Sequence, residues 1–123
     1  MEAASPARLF AALVGAILLV LGVLGFFYDA SFGSLDRYEE ALGALQVNGW
    51  LNLLYIATGA VGLLVAGASS RGFALATGLL YTALGIIGWG TEWVQFLVGV
   101  LGLAAAAGTP QSKPRAKAAG QRP

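Results

Sequence analysis

Residues 9–27, LFAALVGAILLVLGVLGFF, form a run of 19 residues without a charged side chain. As an α-helix the run is about 28 Å long, because each residue adds about 1.5 Å, and a bilayer has a hydrocarbon core of roughly 30 Å. Further apolar runs follow at 50–68, 73–89 and 91–107, the last beginning with an interfacial turn. None of them alternates polar and apolar residues as a strand does. The pattern predicts an all-α membrane protein, a bundle of four transmembrane helices.

The composition supports this class. The chain of 123 residues is 58% hydrophobic and 11% charged, with a mean hydropathy of +0.76, whereas about a quarter of a soluble domain is charged. As an alternative, the first run is a secretory signal peptide with Arg8 as its positive region. The run ends in Phe26 and Phe27, not in the small residues of a cleavage site, so the sequence favours a retained helix. Cysteine is absent, which excludes disulfides and thiolate metal sites.

When the four runs are taken as transmembrane spans, most positive charges fall on one side of the membrane and most negative charges fall on the other. The N-terminus at 1–8, the turn at 69–72 and the tail carry six positive charges and one negative, and the other side carries five negative charges and one positive. Basic residues stay on the cytoplasmic side, so both termini are predicted in the cytoplasm. Trp50, Trp89 and Trp93 lie at the outer ends of the runs, as interfacial rings prefer. The predicted location is the cell (cytoplasmic) membrane, crossed several times.

Glycines recur at fixed offsets, which indicates an internal repeat. The glycines of the first run recur in the third after 63 residues, and those of the second recur in the fourth after 40. The chain is therefore predicted to consist of two parallel helical-hairpin repeats, with the glycines as packing seams that let backbones approach. The glycines are Gly15, Gly22, Gly25, Gly59, Gly62, Gly78, Gly85, Gly88, Gly99 and Gly102.

Two segments lie outside the spans. In the outer loop at 28–49, Ser34 suits a helix N-cap and the apolar residues at 35, 38, 42 and 45 share one helical face. The pattern predicts a short amphipathic helix at 35–45 on the outer interface, either a connector or a lid or docking surface. The tail at 108–123 is basic, rich in alanine and proline, and predicted to be disordered.

Few polar residues occur within the runs. Asn52 and Tyr55 lie one turn apart near the outer end of the second run, and Glu92 and Gln95 occupy the matching places in the fourth. Together they could form a small polar pocket that opens outward, or they could only bond neighbouring helices. Ionisable side chains in the middle of a membrane usually indicate a catalytic or transport site. The predicted spans have no ionisable side chain at mid-membrane positions. We therefore expect no enzyme activity, cofactor, metal site or nucleic-acid partner.

Several stretches resemble a known family. They are ALVGA at 12–16, LGVLGF at 21–26, VNGWLNLLYIATGAVGL at 47–63 and WVQFLVGVLGL at 93–103. Together they resemble the small actinobacterial membrane proteins grouped as domain of unknown function 4383, over about residues 8–107, and the DoxX-like four-helix family is a weaker alternative. The resemblance implies four spans and no assigned activity. It also implies histidines at three positions where this chain has Leu51, Tyr55 and Gln95, so any metal, haem or proton binding by those histidines is absent here.

The sequence favours a non-enzymatic role. The expected function is that of a structural or interaction component of the cytoplasmic membrane, with the lipid bilayer and a homo-oligomer or larger membrane complex as partners. The alternative is a small oligomeric transporter or channel with a polar site near the outer face.

Overall fold

The computed structural model describes residues 5–35, 37–41, 45–89 and 91–110. The helices are α1 (Pro6–Gly25), α2 (Gly49–Val65), α3 (Ser70–Ile87) and α4 (Glu92–Ala107), and two short strands, β1 (Glu39–Ala41) and β2 (Leu45–Val47), lie between α1 and α2. The prediction of an all-α protein with four helices is confirmed, with the ends shifted by a few residues. The tail at 111–123 and its predicted disorder lie outside the described residues.

Local sequence accounts for where the helices begin and end. The Ser5 hydroxyl accepts a hydrogen bond from the Arg8 amide at 3.1 Å, and Pro6 occupies the first turn of α1, where its missing N–H costs nothing. At the other end of the bundle, α3 stops at Gly88, whose φ of 86° is left-handed. Glycine adopts that conformation without strain. These signals set the start of α1 and the end of α3.

Two of the helices are long and apolar enough to cross a membrane by length and composition. They are α1 with 20 residues and α3 with 18 residues. The other two, α2 and α4, are apolar but shorter, with 17 and 16 residues. Two candidate spans are therefore found among the described residues.

Helices α1 and α2 form one helical hairpin, and α3 and α4 form a second. Within each helical hairpin the two helix backbones are in contact. A β-carbon on Gly15 of α1 would lie 3.0 Å from the Gly59 carbonyl oxygen and 3.2 Å from the Leu63 amide nitrogen of α2. In the second hairpin, a β-carbon on Gly78 of α3 would lie 2.7 Å from the Leu103 amide nitrogen of α4. Real side chains do not tolerate such contacts with backbone, so glycine sets the distance between the two helices of each hairpin.

The outer loop corrects one expectation. The predicted amphipathic helix at 35–45 is wrong, because β1 and β2 pair as an antiparallel hairpin with Glu40 opposite Gln46. Residues 36 and 42–44 of the predicted helix lie outside the described residues. Leu45 and Val47 are buried in the core of the bundle, while Gln46 between them is exposed. This alternation is typical of a strand with one face packed against the core. The β-hairpin of β1 and β2 therefore covers one end of the helix bundle.

Distant residues explain why the loop does not form a helix. Backbone carbonyls at 35 and 37, which would accept intrahelical bonds, instead accept from the Asn48 side-chain amide at 2.9 and 3.1 Å. The Thr91 hydroxyl accepts from the Gln46 amide at 2.7 Å and donates to the Gln46 carbonyl at 3.2 Å. The proposed cap at Ser34 therefore precedes no helix, and tertiary contacts override the local pattern.

The glycine seam yields a first prediction. A β-carbon on Gly22 would lie 2.6 Å from the Asn52 carbonyl oxygen and 2.9 Å from the Ile56 amide nitrogen. We expect Gly22→Ala to lower the free energy of unfolding of the purified protein by about 1–3 kcal/mol, the cost of overpacking. Gly72→Ala in α3 is the matched control, because nothing lies within 4 Å of its β-carbon position. The control should be neutral or stabilising, since alanine favours helix. Equal stability of the two variants would contradict the seam.

Candidate functional site

Asn52 is fully buried where α1 and α2 meet. Its side-chain nitrogen donates to the Asp29 carbonyl at 2.8 Å, which fixes the chain just after α1. Its oxygen, Oδ1, is buried without a hydrogen-bond partner. Gly25 makes room for this side chain, because a β-carbon there would overlap Oδ1. Asn52, one of the predicted site residues, thus connects the end of α1 to α2.

Tyr55 and Tyr81 form the aromatic centre of the bundle. Both are fully buried, and their rings stack with centroids 6.4 Å apart and an interplanar angle of 21°. The Tyr81 hydroxyl donates to the Thr58 hydroxyl at 2.9 Å. Since Tyr81 belongs to α3 and the other two belong to α2, this group joins the two hairpins.

Gln95 of α4 completes the group. It is fully buried, and its side-chain nitrogen donates to the Trp89 carbonyl at 2.9 Å. Gln95 lies near Tyr55, but the Tyr55 hydroxyl and Gln95 Oε1 are both buried without a hydrogen-bond partner. An unpaired polar atom inside a protein is costly. Tyr55, Thr58, Tyr81 and Gln95 are called the buried polar cluster below.

The structure brings only part of the predicted set together. Tyr55 and Gln95 meet, and Asn52 lies one turn from Tyr55 against α1, whereas Glu92 is exposed in the first turn of α4. There its carboxylate favours the helix N-terminus electrostatically. Sequence reasoning did not assign Tyr81 to the site. A signal was available, because a hydroxyl in an apolar helix needs a partner.

The loop covers this cluster through two buried or partly buried side chains. Asn48 is fully buried, and its Oδ1 accepts from the Leu51 amide at 2.8 Å as the N-cap of α2. The Trp89 indole donates to the Leu35 carbonyl at 2.7 Å, the same oxygen that Asn48 binds. The loop, the start of α2 and the end of α3 are therefore held together at the Leu35 carbonyl.

The chemistry that these side chains offer is hydrogen bonding between neutral groups. Hydroxyls and amides can orient a ligand or a water, but none of the cluster is a base near neutral pH. In the described part of the chain, no group of three or more His, Cys, Asp or Glu residues is placed to hold a metal ion.

The fold and the site define a class: a four-helix all-α protein with apolar helices and a neutral polar interior. The chain belongs to the family described as Domain of unknown function (DUF4383), whose family model matches residues 8–92. This match confirms the family resemblance over residues 8–92, from the third residue of α1 to the first residue of α4. No curated protein and no solved structure matches the chain.

The three positions where the resemblance implies histidine are all interior. Leu51, Tyr55 and Gln95 are each fully buried. Tyr55 of α2 and Gln95 of α4 each have a buried oxygen without a hydrogen-bond partner. The positions lie at the centre of the bundle, with neutral side chains in each.

The Asn48 contacts yield a second prediction. Asn48→Ala removes the cap of α2 and both bonds to the loop carbonyls, and we expect it to lower the free energy of unfolding by about 2 kcal/mol. Asn48→Ser keeps a capping hydroxyl but cannot reach the loop. It should lose less stability, while limited proteolysis of the loop at 28–47 accelerates equally in both variants. Equal stability loss would show that the cap contributes nothing, and unchanged proteolysis would contradict the fastening of the loop.

Proposed function

We propose that this protein is an integral protein of the cytoplasmic membrane in which all four helices span the bilayer and both termini face the cytoplasm. The observation that carries the proposal is the inverted distribution of side chains. Leu13, Leu64 and Ile86 are 61%, 83% and 73% exposed, whereas Asn52 and Gln95 are fully buried. A water-soluble protein rarely exposes large contiguous apolar surface, but lipid accepts it.

The modest burial of the two long helices supports the same proposal. Only 33% of the most apolar window of α1 and 28% of that of α3 is buried inside the protein. A core helix of a soluble protein would be mostly buried. The shorter α2 and α4 are about 24–26 Å long, and Trp50 and Trp93 in their first turns fit the interface, so a slightly thinned bilayer accommodates them.

The charges support the proposed orientation. Asp29, Glu39 and Glu40 lie in the loop between α1 and α2, at the end of the bundle that the strands cover, and Arg71 lies at the opposite end in the first turn of α3. The Arg71 guanidinium donates to the Thr109 carbonyl at 3.2 Å, beyond α4. A basic end and an acidic end are the arrangement that the positive-inside rule describes.

We also propose that the bundle consists of two copies of one helical hairpin, α1–α2 and α3–α4, related by an axis along the membrane normal. The glycine contacts support it, because four contacts of the first hairpin have counterparts in the second at offsets of 63 and 40. The paired contacts are Gly15 with Leu63 and Gly78 with Leu103, Gly59 with Leu19 and Gly99 with Thr82, Gly22 with Ile56 and Gly85 with Phe96, and Gly62 with Ala11 and Gly102 with Ala74. Chance recurrence of glycine does not reproduce the contact partners.

The function that this architecture supports best is a non-enzymatic one, a structural or interaction component of a membrane complex or homo-oligomer. Its support is the neutral interior, since Tyr55, Tyr81 and Gln95 cannot act as acid or base at ordinary pH. Crosslinking in native membranes followed by mild solubilisation tests it. A defined oligomer or a stoichiometric partner is the expected result, and a strictly monomeric protein without partners contradicts the proposal.

The membrane topology yields a third prediction. The chain has no cysteine, so single cysteines can be introduced at the exposed positions of Ser31, Ser69 and Leu64. In intact cells a membrane-impermeant maleimide should label Ser31→Cys only, and permeabilisation should add Ser69→Cys. Leu64→Cys should stay unlabelled although the side chain at 64 is 83% exposed in the isolated protein, because lipid covers it. Labelling of Leu64→Cys in native membranes would contradict the span.

The unpaired oxygens favour one alternative, a small oligomeric transporter or channel. Asn52 Oδ1, the Tyr55 hydroxyl and Gln95 Oε1 are buried and free to bind a small polar solute or cation. Reconstituted vesicles tested for sodium, potassium and proton flux decide the matter. Flux that Gln95→Leu abolishes and Glu92→Gln spares would support this alternative, and absence of flux of all three ions, or flux that Gln95→Leu leaves unchanged, would remove it.

A further inference from the structure

An apolar groove runs along the junction of α1 and α4, where the two helical hairpins lie side by side. Its inner part, beside residues 6–14 of α1, has a volume of about 410 Å³. Its outer part has a volume of about 360 Å³ and reaches Trp93 at the start of α4. Val14 and Leu101 line both parts, so the two are continuous. Because the lining extends from residue 6 to residue 21 of α1, this α1–α4 groove is about 22 Å long.

Hydrogen bonds hold α4 beside the first hairpin at both ends of the helix. Before α4, the Thr91 hydroxyl bonds the amide and the carbonyl of Gln46. After α4, the Thr109 hydroxyl accepts from the Ala7 amide at 2.8 Å and donates to the Ala105 carbonyl at 2.7 Å. The groove lies between these two points of attachment, and small side chains such as Ala105 leave its inner part open.

The inner end of the groove, where α1 begins and α4 ends, is basic. Ala105 lines the groove and is bonded by Thr109, whose own carbonyl accepts from Arg71 Nε at 3.2 Å. The Arg71 guanidinium therefore lies near the inner end of the groove, and Arg8 lies in the first turn of α1 at the same end. All the aspartates and glutamates that the structure describes lie in the loop after α1 or in the first turn of α4, at the opposite end. An anionic group is thus attracted to the inner end.

We propose that the α1–α4 groove binds one anionic phospholipid of the inner leaflet, with an acyl chain along the groove and the phosphate beside Arg71. The inference rests on the proposed membrane location, which puts the open side of the groove against the bilayer. The hydrocarbon of one leaflet is about 15 Å deep, half of a core of about 30 Å. A chain that begins at the inner end therefore fits within the length of the groove. Basic pockets between helices at the cytoplasmic side are suited to anionic head groups.

The size of the groove favours a lipid chain over a helix of a second copy. A helix about 10 Å across fills about 900 Å³ over the 12 Å or so of the inner part. This is more than twice the volume that the inner part offers. An acyl chain is only about 4 Å across, the contact distance between carbon atoms, and fits between α1 and α4.

Lipid binding to the purified, delipidated protein in a neutral detergent tests the proposal. Dioleoylphosphatidylglycerol should bind more tightly than dioleoylphosphatidylcholine by about fivefold, the contribution of one cation near an anionic head group. Arg71→Gln should abolish this preference. Arg37→Gln is the matched control, because it removes an exposed cation from the outer loop, and it should leave the preference unchanged. Native mass spectrometry gives the dissociation constants.

A second pair of variants tests the groove itself. Ala104 is exposed and lines the inner part, so Ala104→Phe fills the space that the acyl chain needs. We expect it to weaken the binding of both lipids by about tenfold or more, because the chain loses its contacts with α1 and α4. Ala76→Phe makes the same change at an exposed position of α3, outside the lining of the groove. This control should bind both lipids like the unaltered protein.

Equal affinity for the two lipids, or unchanged binding by Ala104→Phe, would overturn the proposal. Competition by millimolar inorganic phosphate would also overturn it, because the site would then be one for free phosphate. A dimer that Ala104→Phe abolishes would assign the groove to a second copy instead.

If Ala104→Phe does not fold, a phosphatidylglycerol with a photoreactive acyl chain decides the case on the unaltered protein. It should crosslink to residues 6–14 and 101–105, and crosslinks spread evenly over all four helices would overturn the proposal. These assays are made in detergent, so a failure of the proposed membrane location is recorded separately by the maleimide labelling.

Discussion

The close approach of two backbones within each hairpin is the constraint on which the rest of the structure depends. Gly59 packs against the Gly15 carbonyl and the backbone of Leu19, and Gly99 packs against the backbone of Thr82 in the same manner. Such close contact between backbones gives dispersion attraction and short contacts to carbonyl oxygens. In apolar surroundings, where burial of apolar side chains gains little, these contacts drive the association of helices. It also fixes the register of the two helices, and the register decides which polar side chains meet.

The interior follows from that constraint. Helices joined by glycine leave little volume between them, so the core between hairpins is small and is filled by a few large side chains. Tyr55 and Tyr81 supply rings, Gln95 supplies an amide, and the strand residues Leu45 and Val47 close the end of the bundle. Large apolar residues are left for the outer surface, whereas Asn52 and Gln95 are fully buried, and this distribution is the basis of the proposed membrane location.

Sequence reasoning succeeds here for features encoded in a single segment. The apolar runs predict the four helices, and the glycines of one run lie on the face that the structure packs. It fails for the outer loop, because the decisive groups, Asn48 and Trp89, lie 11 to 54 residues from the carbonyls that they bind. The pairing of Tyr81 with Thr58 depends on how the hairpins cross, which no local pattern contains. The proximity of Tyr55 and Gln95 lies between these cases, since their matching places in the proposed repeat indicate equivalence but not contact.

The contrast between tight hairpins and their looser junction bears on function. Backbone contact makes each hairpin stiff, whereas the hairpins meet through side chains, with a groove beside α1 and α4. Any conformational change is therefore cheapest as a rotation of one hairpin against the other. The side chains of Tyr55, Tyr81 and Gln95, which are buried between the hairpins, are neutral, so they hold the hairpins in register without responding to pH near neutrality. That property suits the proposed interaction role, in which the exposed apolar surface meets a partner, better than a role that moves charge.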